Sequence, residues 1–402
     1  MKRGKAPMKK LIKNNVSWVG KVDWELRKFH GEELSTHRGS SYNSYLIQEE
    51  KTVLVDTVWL PFAEEFVENL ASEVDLNKID FIVANHGEVD HSGALPALMK
   101  RIPNVPIYCT ANAVKSLKGQ YHQDWDFRVV KTGDSVDIGN GKKLVFVEMT
   151  MLHWPDSMAT YMTGDNILFS NDAFGQHYAS ERLFNDLVDP CELWYEALKY
   201  YSNIITPFAP ILRRKLAEVI ALNLPIDIIA TSHGIIWRDN PMQIVEAYSK
   251  WANDYQENQI TVVYDTMWNG TKALAEKIAE GIQSADSEVV VKTYNLARVD
   301  DNDLIVEVFK SKAVAFGSPT VGGHMLHSLA GFIHFVQELK FKGKKAAAFG
   351  CYGWSGEAPK KINDEMAKAG FEIIGDPFRN SWNPDADQLQ KAFEFGQQIA
   401  KA

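Results

Sequence analysis

The chain has 402 residues, 45% of them hydrophobic and 24% charged, with a net charge of −9. These balances exclude a disordered, collagenous or coiled-coil protein and favour two or three globular domains. No apolar run is long enough to cross a bilayer, and no basic stripe marks a nucleic-acid surface. The stretch from Met1 to Lys10 is basic, but no apolar segment follows it. It reads as a loose tail, with Met8 as an alternative start, and not as a secretory signal. Cys109, Cys191 and Cys351 are far apart and form no CxxC pair. Neither a disulfide framework nor a cysteine-bound metal is expected, and a reducing cytoplasm fits best.

In chain order, short strands in pairs are predicted from about Tyr42 to Ser170. Tyr42 to Ile47 and Thr52 to Asp56 flank the polar turn Gln48-Glu49-Glu50-Lys51. Val136 to Ile138 and Lys143 to Glu148 flank Asn140-Gly141, a type I′ hairpin signal. Tyr161 and Ile167 flank Thr163-Gly164-Asp165-Asn166. Helical periodicity covers Ala63 to Leu70, Ala94 to Arg101, Glu192 to Ser202 and Leu212 to Leu222. Paired strands with helices between them predict sheets packed face to face and covered by helices. The polar stretch Ser249 to Gln259 ends a helix begun near Pro241 and marks a domain boundary, dividing the chain into residues 1–257 and 258–402. Beyond it, Ile260 to Tyr264, Glu288 to Thr293, Ala313 to Gly317, Ala346 to Gly350 and Phe371 to Ile374 alternate with helices, the last from Asp387 to Ala402. That alternation predicts a doubly wound parallel five-stranded sheet with ligand at the strand C-terminal ends.

The strand Ile79 to Ala84 runs into Asn85-His86-Gly87-Glu88-Val89-Asp90-His91-Ser92-Gly93. His153, Asp172 and His233 also follow strand-like runs. Taken singly, each has an ordinary role: a satisfied polar histidine, a turn aspartate, or a helix N-cap at Asp90. Taken together they form a metal-ligand set. The run His86-x-Glu88-x-Asp90-His91, followed by His153, Asp172 and His233, resembles the metal signature of the metallo-β-lactamase fold. Glu88 stands where the hydrolytic branch has a histidine. A carboxylate there makes the site harder and more anionic, which favours iron or manganese over zinc. This glutamate form resembles the flavodiiron proteins, and within them the two-domain rubredoxin:oxygen oxidoreductase subgroup, from about Trp18 onward. The resemblance implies an αββα sandwich over residues 1–257. It implies one iron at His86, Glu88 and His153, a second at Asp90, His91 and His233, and Asp172 as the bridge. His91 is the ligand that sometimes gives way to water in this family.

Asp265-Thr266-Met267-Trp268-Asn269-Gly270-Thr271 opens a helix from Lys272 to Gly281. Such a helix start suits an anion, although capping alone explains it equally well. It matches neither a Walker loop nor a dinucleotide fingerprint. Two further strand ends are rich in glycine: Ser318-Pro319-Thr320-Val321-Gly322-Gly323 and Cys351-Tyr352-Gly353-Trp354-Ser355-Gly356. Trp354 offers a π-face to a flat ligand, or is a packed surface tryptophan; packing is the plainer role for Trp268. The three loops resemble the FMN site of flavodoxin. Gly270 departs from relatives that carry a hydroxyl residue there.

The resemblance implies FMN and two iron ions per chain. It implies reduction of dioxygen to water with four electrons, reduction of nitric oxide to nitrous oxide, or both. No CxxC segment follows, so rubredoxin or a similar external donor is expected. A head-to-tail homodimer, or a tetramer, is implied as well. A zinc hydrolase carrying a flavodoxin-like module is the competing reading, and a redox sensor a third. Tyr195, Tyr200 and Tyr201 precede Pro207, and Tyr201 is the candidate to aim a hydroxyl at the metal pocket. Lys340, Lys342, Lys344 and Lys345 read as a solvated turn at the sheet edge away from the flavin.

Overall fold

The computed structural model describes residues 9–402, so Met8 and most of the basic tail lie outside the described residues. Two units separate by their contacts. One runs to Tyr200 and resumes over Phe208–Ser249, and the other joins Tyr201–Pro207 to Lys250–Ala402.

The first unit holds two packed sheets. The seven-stranded sheet runs in the order Lys10–Lys13, Val16–Trp18, Tyr45–Gln48, Thr52–Val55, Ile79–Val83, Ile107–Cys109, Phe127–Val129. The five-stranded sheet runs in chain order through Ser135–Gly139, Lys142–Glu148, Met158–Met162, Ile167–Asn171 and Ile228–Thr231. Strand side chains alternate between faces. Tyr45 and Ile47, Val53 and Val55, and Phe81 and Val83 therefore share one face, where they meet Leu144, Phe146, Met158, Phe169 and Ala230 in a common core. Leu46, Leu54 and Ile82, on the opposite face, are buried too. Both faces of the central strands are thus covered, as packed layers require.

The Asn140-Gly141 turn has positive φ at both residues, 55° and 72°, the type I′ geometry that matches the twist of its strands. The expected strand from Tyr42 is broken. Ser40–Tyr42 pairs with Lys21–Asp23, and the next strand starts at Tyr45. Asn43 causes the break: its Nδ2 donates to Thr231 O (2.9 Å) and Gly234 O (3.1 Å), and its backbone N–H donates to Ser232 O (2.8 Å). The helix expected up to Ser202 is α-helical over Pro190–Tyr200 and then widens into a π turn over Tyr201–Ile205.

The second unit is a parallel sheet in the order Val290–Asn295, Glu257–Tyr264, Ser311–Gly317, Lys345–Tyr352, and then a split fifth position. Glu372–Ile373 and Phe378–Ser381 both pair with Lys345–Tyr352. Gly375-Asp376-Pro377 interrupts them, since proline supplies no N–H to a ladder. The first strand lies inside the sheet, which puts the loops after the first, third and fourth strands together at one edge.

The expected solvated lysine turn needs correction at Lys344. Its side chain is buried, and Nζ donates to Tyr255 O (3.1 Å), Phe309 O (2.6 Å) and Ser311 O (2.8 Å). Lys340 and Lys342 are exposed and Lys345 is half-buried.

Candidate functional site

The strand Ile79–Val83 is buried apart from Asp80 and leads through buried Ala84 into the following loop, which anchors that loop rigidly. Asp56 steadies that loop, accepting from the Asn85 backbone N–H (2.7 Å) and from its side-chain amide (3.1 Å). A short helix, Val89–Ser92, then turns Asp90 and His91 inward. His153, Asp172 and His233 come from the ends of three strands of the second sheet.

These seven side chains meet as two groups. His86, Glu88, His153 and Asp172 form one, and Asp90, His91 and His233 the other. Asp172 serves both. Its Oδ2 lies 3.4 Å from His86 Nε2 and 3.4 Å from His153 Nε2. Its Oδ1 lies 2.9 Å from His91 Nε2 and 3.7 Å from His233 Nε2. Glu88 Oε2 is 3.2 Å from His86 Nε2 and 3.6 Å from His153 Nε2. Asp90 Oδ2 is 3.1 Å from His91 Nε2 and 2.9 Å from His233 Nε2. Atoms bonded to one shared ion at about 2.1 Å stand roughly 3.0–3.4 Å apart. The observed spacings bracket that range. Asp172 Oδ2 and Asp90 Oδ1 are buried without a hydrogen-bond partner, so both are available to a cation.

Partners behind the ligands set their orientation. His86 Nδ1 donates to Asp156 Oδ1 (2.8 Å), and His233 Nδ1 donates to Ser41 O (2.7 Å). Each bond turns Nε2 toward the centre. His91 Nδ1 is buried and has no hydrogen-bond partner, so no such bond fixes its ring.

Burial alone would discharge this cluster, yet its groups hold one another charged. Burial lowers the His86 pKa, but the hydrogen bonds to Asp156 and Glu88 outweigh it and carry it to about 10. Burial raises Glu88, but His30 and His86 bring it to about 2. Burial also raises Asp90 and Asp172, yet His91 chiefly holds both well below the carboxylate range. Three ionised carboxylates in a dry site require cations. Metal ions bound there would supply that positive charge, displacing protons from the histidines.

The mouth is an opening of about 390 Å³ lined by Phe29, His30, Trp59, Glu88, Asp90 and Trp154. His30 Nε2 lies 3.2 Å from Glu88 Oε1. Behind the site, His177 shares a 2.8 Å hydrogen bond with Ser40 Oγ, and its ring stands 5.0 Å from that of His233. Sequence reading missed His30, which lies far along the chain from the candidate ligands, and His177, which follows Asp172 by five residues but sits in no recognisable motif. Asp156 was within reach of it, three residues after His153. The tyrosine choice needs correction: Tyr201 belongs to the second unit, packed on Trp251 and Phe309. Tyr200 is the residue beside the ligands, its ring 6.4 Å from that of His233. Tyr195 is exposed.

In the second unit, the loop after Glu257–Tyr264 feeds the helix Gly270–Ala285. Asn269 takes φ +65° and gives no side-chain cap. Thr266 and Thr271 hydroxyls are buried without a hydrogen-bond partner. Orphan hydroxyls at the start of a long helix fit a phosphate. Gly270 is explained by crowding, because a Cβ there would stand 3.1 Å from Asn383 Oδ1 and 3.1 Å from Cys351 Sγ. Ser318 Oγ accepts from the Leu326 N–H (2.9 Å), and the Thr320 N–H donates to Cys351 O (2.9 Å), tying the Ser318-Pro319-Thr320-Val321-Gly322-Gly323 loop to the start of Cys351-Tyr352-Gly353-Trp354-Ser355-Gly356. Trp354 is 89% exposed and Trp268 83%, so neither is packed, and the packing role expected for Trp268 is overturned. Trp382, 67% exposed, was missed; its backbone N–H donates to Tyr352 O (2.7 Å), which brings a fourth loop to the same edge.

Residues 37–233 match the metallo-beta-lactamase superfamily and residues 262–396 match flavodoxin. The chain is 55% identical over 391 residues to an anaerobic nitric oxide reductase flavorubredoxin of Vibrio vulnificus, covering 97% of this chain and 79% of that one. It superposes on the rubredoxin oxygen:oxidoreductase of Desulfovibrio gigas with a TM-score of 0.94 at 32% identity, over 98% of both chains. It superposes on the flavodiiron protein of Giardia intestinalis with a TM-score of 0.93 at 33% identity, over 99% of this chain and 97% of that one. With two ligand groups joined at Asp172 and a phosphate cradle in the second unit, the chain belongs to the flavodiiron protein family.

Proposed function

We propose that this oxidoreductase reduces nitric oxide to nitrous oxide and dioxygen to water at a diiron centre, using electrons relayed through FMN from rubredoxin or a similar external donor. One observation carries the reading: the two oxygens of Asp172 are divided between two groups of ligands. One iron would take His86, Glu88 and His153, the other Asp90, His91 and His233, with Asp172 between them. Residues 1–257 would form the metal domain and 258–402 the flavin domain. Thr266, Met267, Trp268, Asn269, Gly270 and Thr271 would hold the FMN phosphate. The loops Ser318 to Gly323 and Cys351 to Gly356 would enclose its ring, with Trp354 stacked on it. The bound groups supply the redox chemistry: electron exchange at the flavin, and ferrous–ferric exchange with open coordination positions at the iron pair.

The chain's own residues prepare that chemistry. Asp156 and Ser41 O fix the ring orientations of His86 and His233. Three carboxylates hold the metals as cations and make the site a poor match for zinc. The aromatic walls Phe29, Trp59 and Trp154 admit a small molecule while limiting water. Both gas reductions consume protons, and His30 Nε2 holds one against Glu88 Oε1.

The test is metal analysis with steady-state turnover of nitric oxide and of dioxygen, driven by reduced rubredoxin. Two irons per chain and gas consumption are expected, and Asp172→Ala should lose most of both while the fold persists. A stoichiometric zinc pair, with no gas consumed, would sink the reading.

A further inference from the structure

The outer face of the five-stranded sheet in the first unit contains a second cavity, separate from the mouth at His30. Its volume is about 250 Å³. The floor is Val147, Ala159, Leu168 and Ser170, on the face opposite the core residues Phe146, Met158 and Phe169. The roof is the helix Ala209–Ala221, through Leu216 and Val219, and the helix Met242–Trp251, through Val245. Ala159 and Ser170 are small where a sheet floor usually carries branched side chains, so the roof does not fill the space.

The two polar side chains inside the cavity are already committed. Ser170 Oγ donates to Ala173 O (2.8 Å), and Tyr161 OH donates to Pro225 O (2.7 Å). Asn223, exposed at the rim, is the one other polar side chain that could bond a ligand, so the interior itself offers a ligand no free hydrogen bond. Water needs two to four polar partners to occupy a cavity, whereas an apolar cavity of about 150 Å³ stays dry and takes up benzene or xenon. The rim is apolar as well: Ile220 is 51% exposed, Leu222 55% and Leu224 39%. The rear wall comprises Met149, Ser170 and Phe174. Met149 closes the loop carrying His153, its N–H donating to Ser157 O (2.8 Å), while Ser170 and Phe174 flank Asp172 in the chain.

We propose that this cavity is a binding site for small apolar gas molecules and holds substrate gas against the back of the metal centre. Nitric oxide and dioxygen are both weakly polar and leave water for apolar surroundings. Gas held against the strand Ile167–Asn171, which leads into Asp172, would reach the metal centre faster than gas arriving from bulk water, without needing a polar contact. The store's use rests on the gas-reductase reading; the site's existence does not.

Xenon is the probe, because it binds apolar cavities and undergoes no reaction. Crystals of the holoenzyme under xenon pressure should show xenon between Leu168, Val219 and Val245. Val219→Trp, at a half-buried helix position, should fill the space and abolish that xenon, and Met242→Phe should reduce it. Both variants should keep kcat while KM for the gas rises several-fold. An empty cavity under xenon would overturn the site, as would a lipid acyl chain found in its place. Xenon bound but KM unchanged in the filled variants would overturn its use as a store. Failure of the enzyme to reduce either gas would count against the proposed function alone, since the xenon result does not depend on turnover.

Discussion

Asp156 and Lys344 are two residues whose roles emerge from their surroundings. Asp156 is not one of the seven candidate ligands, yet it holds the ring of His86. Asp156→Asn preserves shape and removes the charge that orients the imidazole. Iron affinity should fall by about 10–100-fold, as is usual when a histidine ligand loses its carboxylate. Competition with a chelator measures this, and unchanged affinity would show that Asp156 is only a packing residue. Lys344 is a buried ammonium surrounded by carbonyls. Burial lowers its pKa from 10.5 to about 7, with Asp254 acting weakly the other way. Between those two values the unfolded chain keeps a proton that the folded chain releases, so stability should rise with pH across that window. The slope is at most about 1.4 kcal/mol per pH unit. Urea midpoints from pH 7 to 9.5 should climb in the parent relative to Lys344→Met, which has no titrating group. Parallel curves would refute a titrating Lys344.

At the scale of elements, the helix Gly270–Ala285 and the loops beside it carry the flavin argument. Gly270→Ser would bring a side chain against Asn383 and Cys351. Moving either neighbour disturbs the phosphate cradle, so FMN affinity should fall even though serine adds a hydroxyl. Trp354→Ala removes an exposed ring that has no packing role to lose. A stacking contact of about 1 kcal/mol corresponds to roughly a fivefold weaker FMN complex. Fluorescence titration of the apoprotein reads both variants. Equal affinity in Trp354→Ala, with an unshifted flavin potential, would remove Trp354 from the site.

On the scale of the whole molecule, the second unit borrows Tyr201–Pro207 from between two helices of the first. Tyr201 is fully buried there, packed on Trp251 and Phe309. A fragment of residues 258–402 lacks both Tyr201 and Trp251. Losing one large buried aromatic contact typically costs about 3–5 kcal/mol. The fragment should therefore bind FMN but melt well below the same unit in the full chain, and equal melting would show that the borrowed segment is dispensable. Electron flow gives a second prediction at this scale. The head-to-tail homodimer implied by the family resemblance would let the flavin of one copy serve the metal centre of the other. Asp172→Ala mixed with a flavin-deficient variant should then regain part of the turnover that each lacks alone. No recovery after subunit exchange would exclude transfer between copies.

Much of this architecture was legible in the chain itself, because it depends on near neighbours. Alternating residues such as Tyr45, Ile47, Val53 and Val55 declare strands, and Asn140-Gly141 declares its turn by the positive φ that both residues tolerate. The grouping of the candidate ligands was legible too, since His86, Glu88, Asp90 and His91 follow one buried strand, the other three follow strand-like runs, and the fold brings all seven together. What only the tertiary structure decided depends on distant segments meeting. Asn43 broke a predicted strand because Thr231 and Gly234 offered its amide better partners. Lys344 left the solvated turn because three carbonyls from two other segments surround it. Tyr200 and Tyr201 went to different units because neighbours on a helix point about 100° apart, and the packing of Trp251 and Phe309 against Tyr201 decided which faced which. The sharing of Asp172 between two ligand groups is of the same kind: spacing names a ligand, but only the packing of two sheets brings its two oxygens to two different sets of partners.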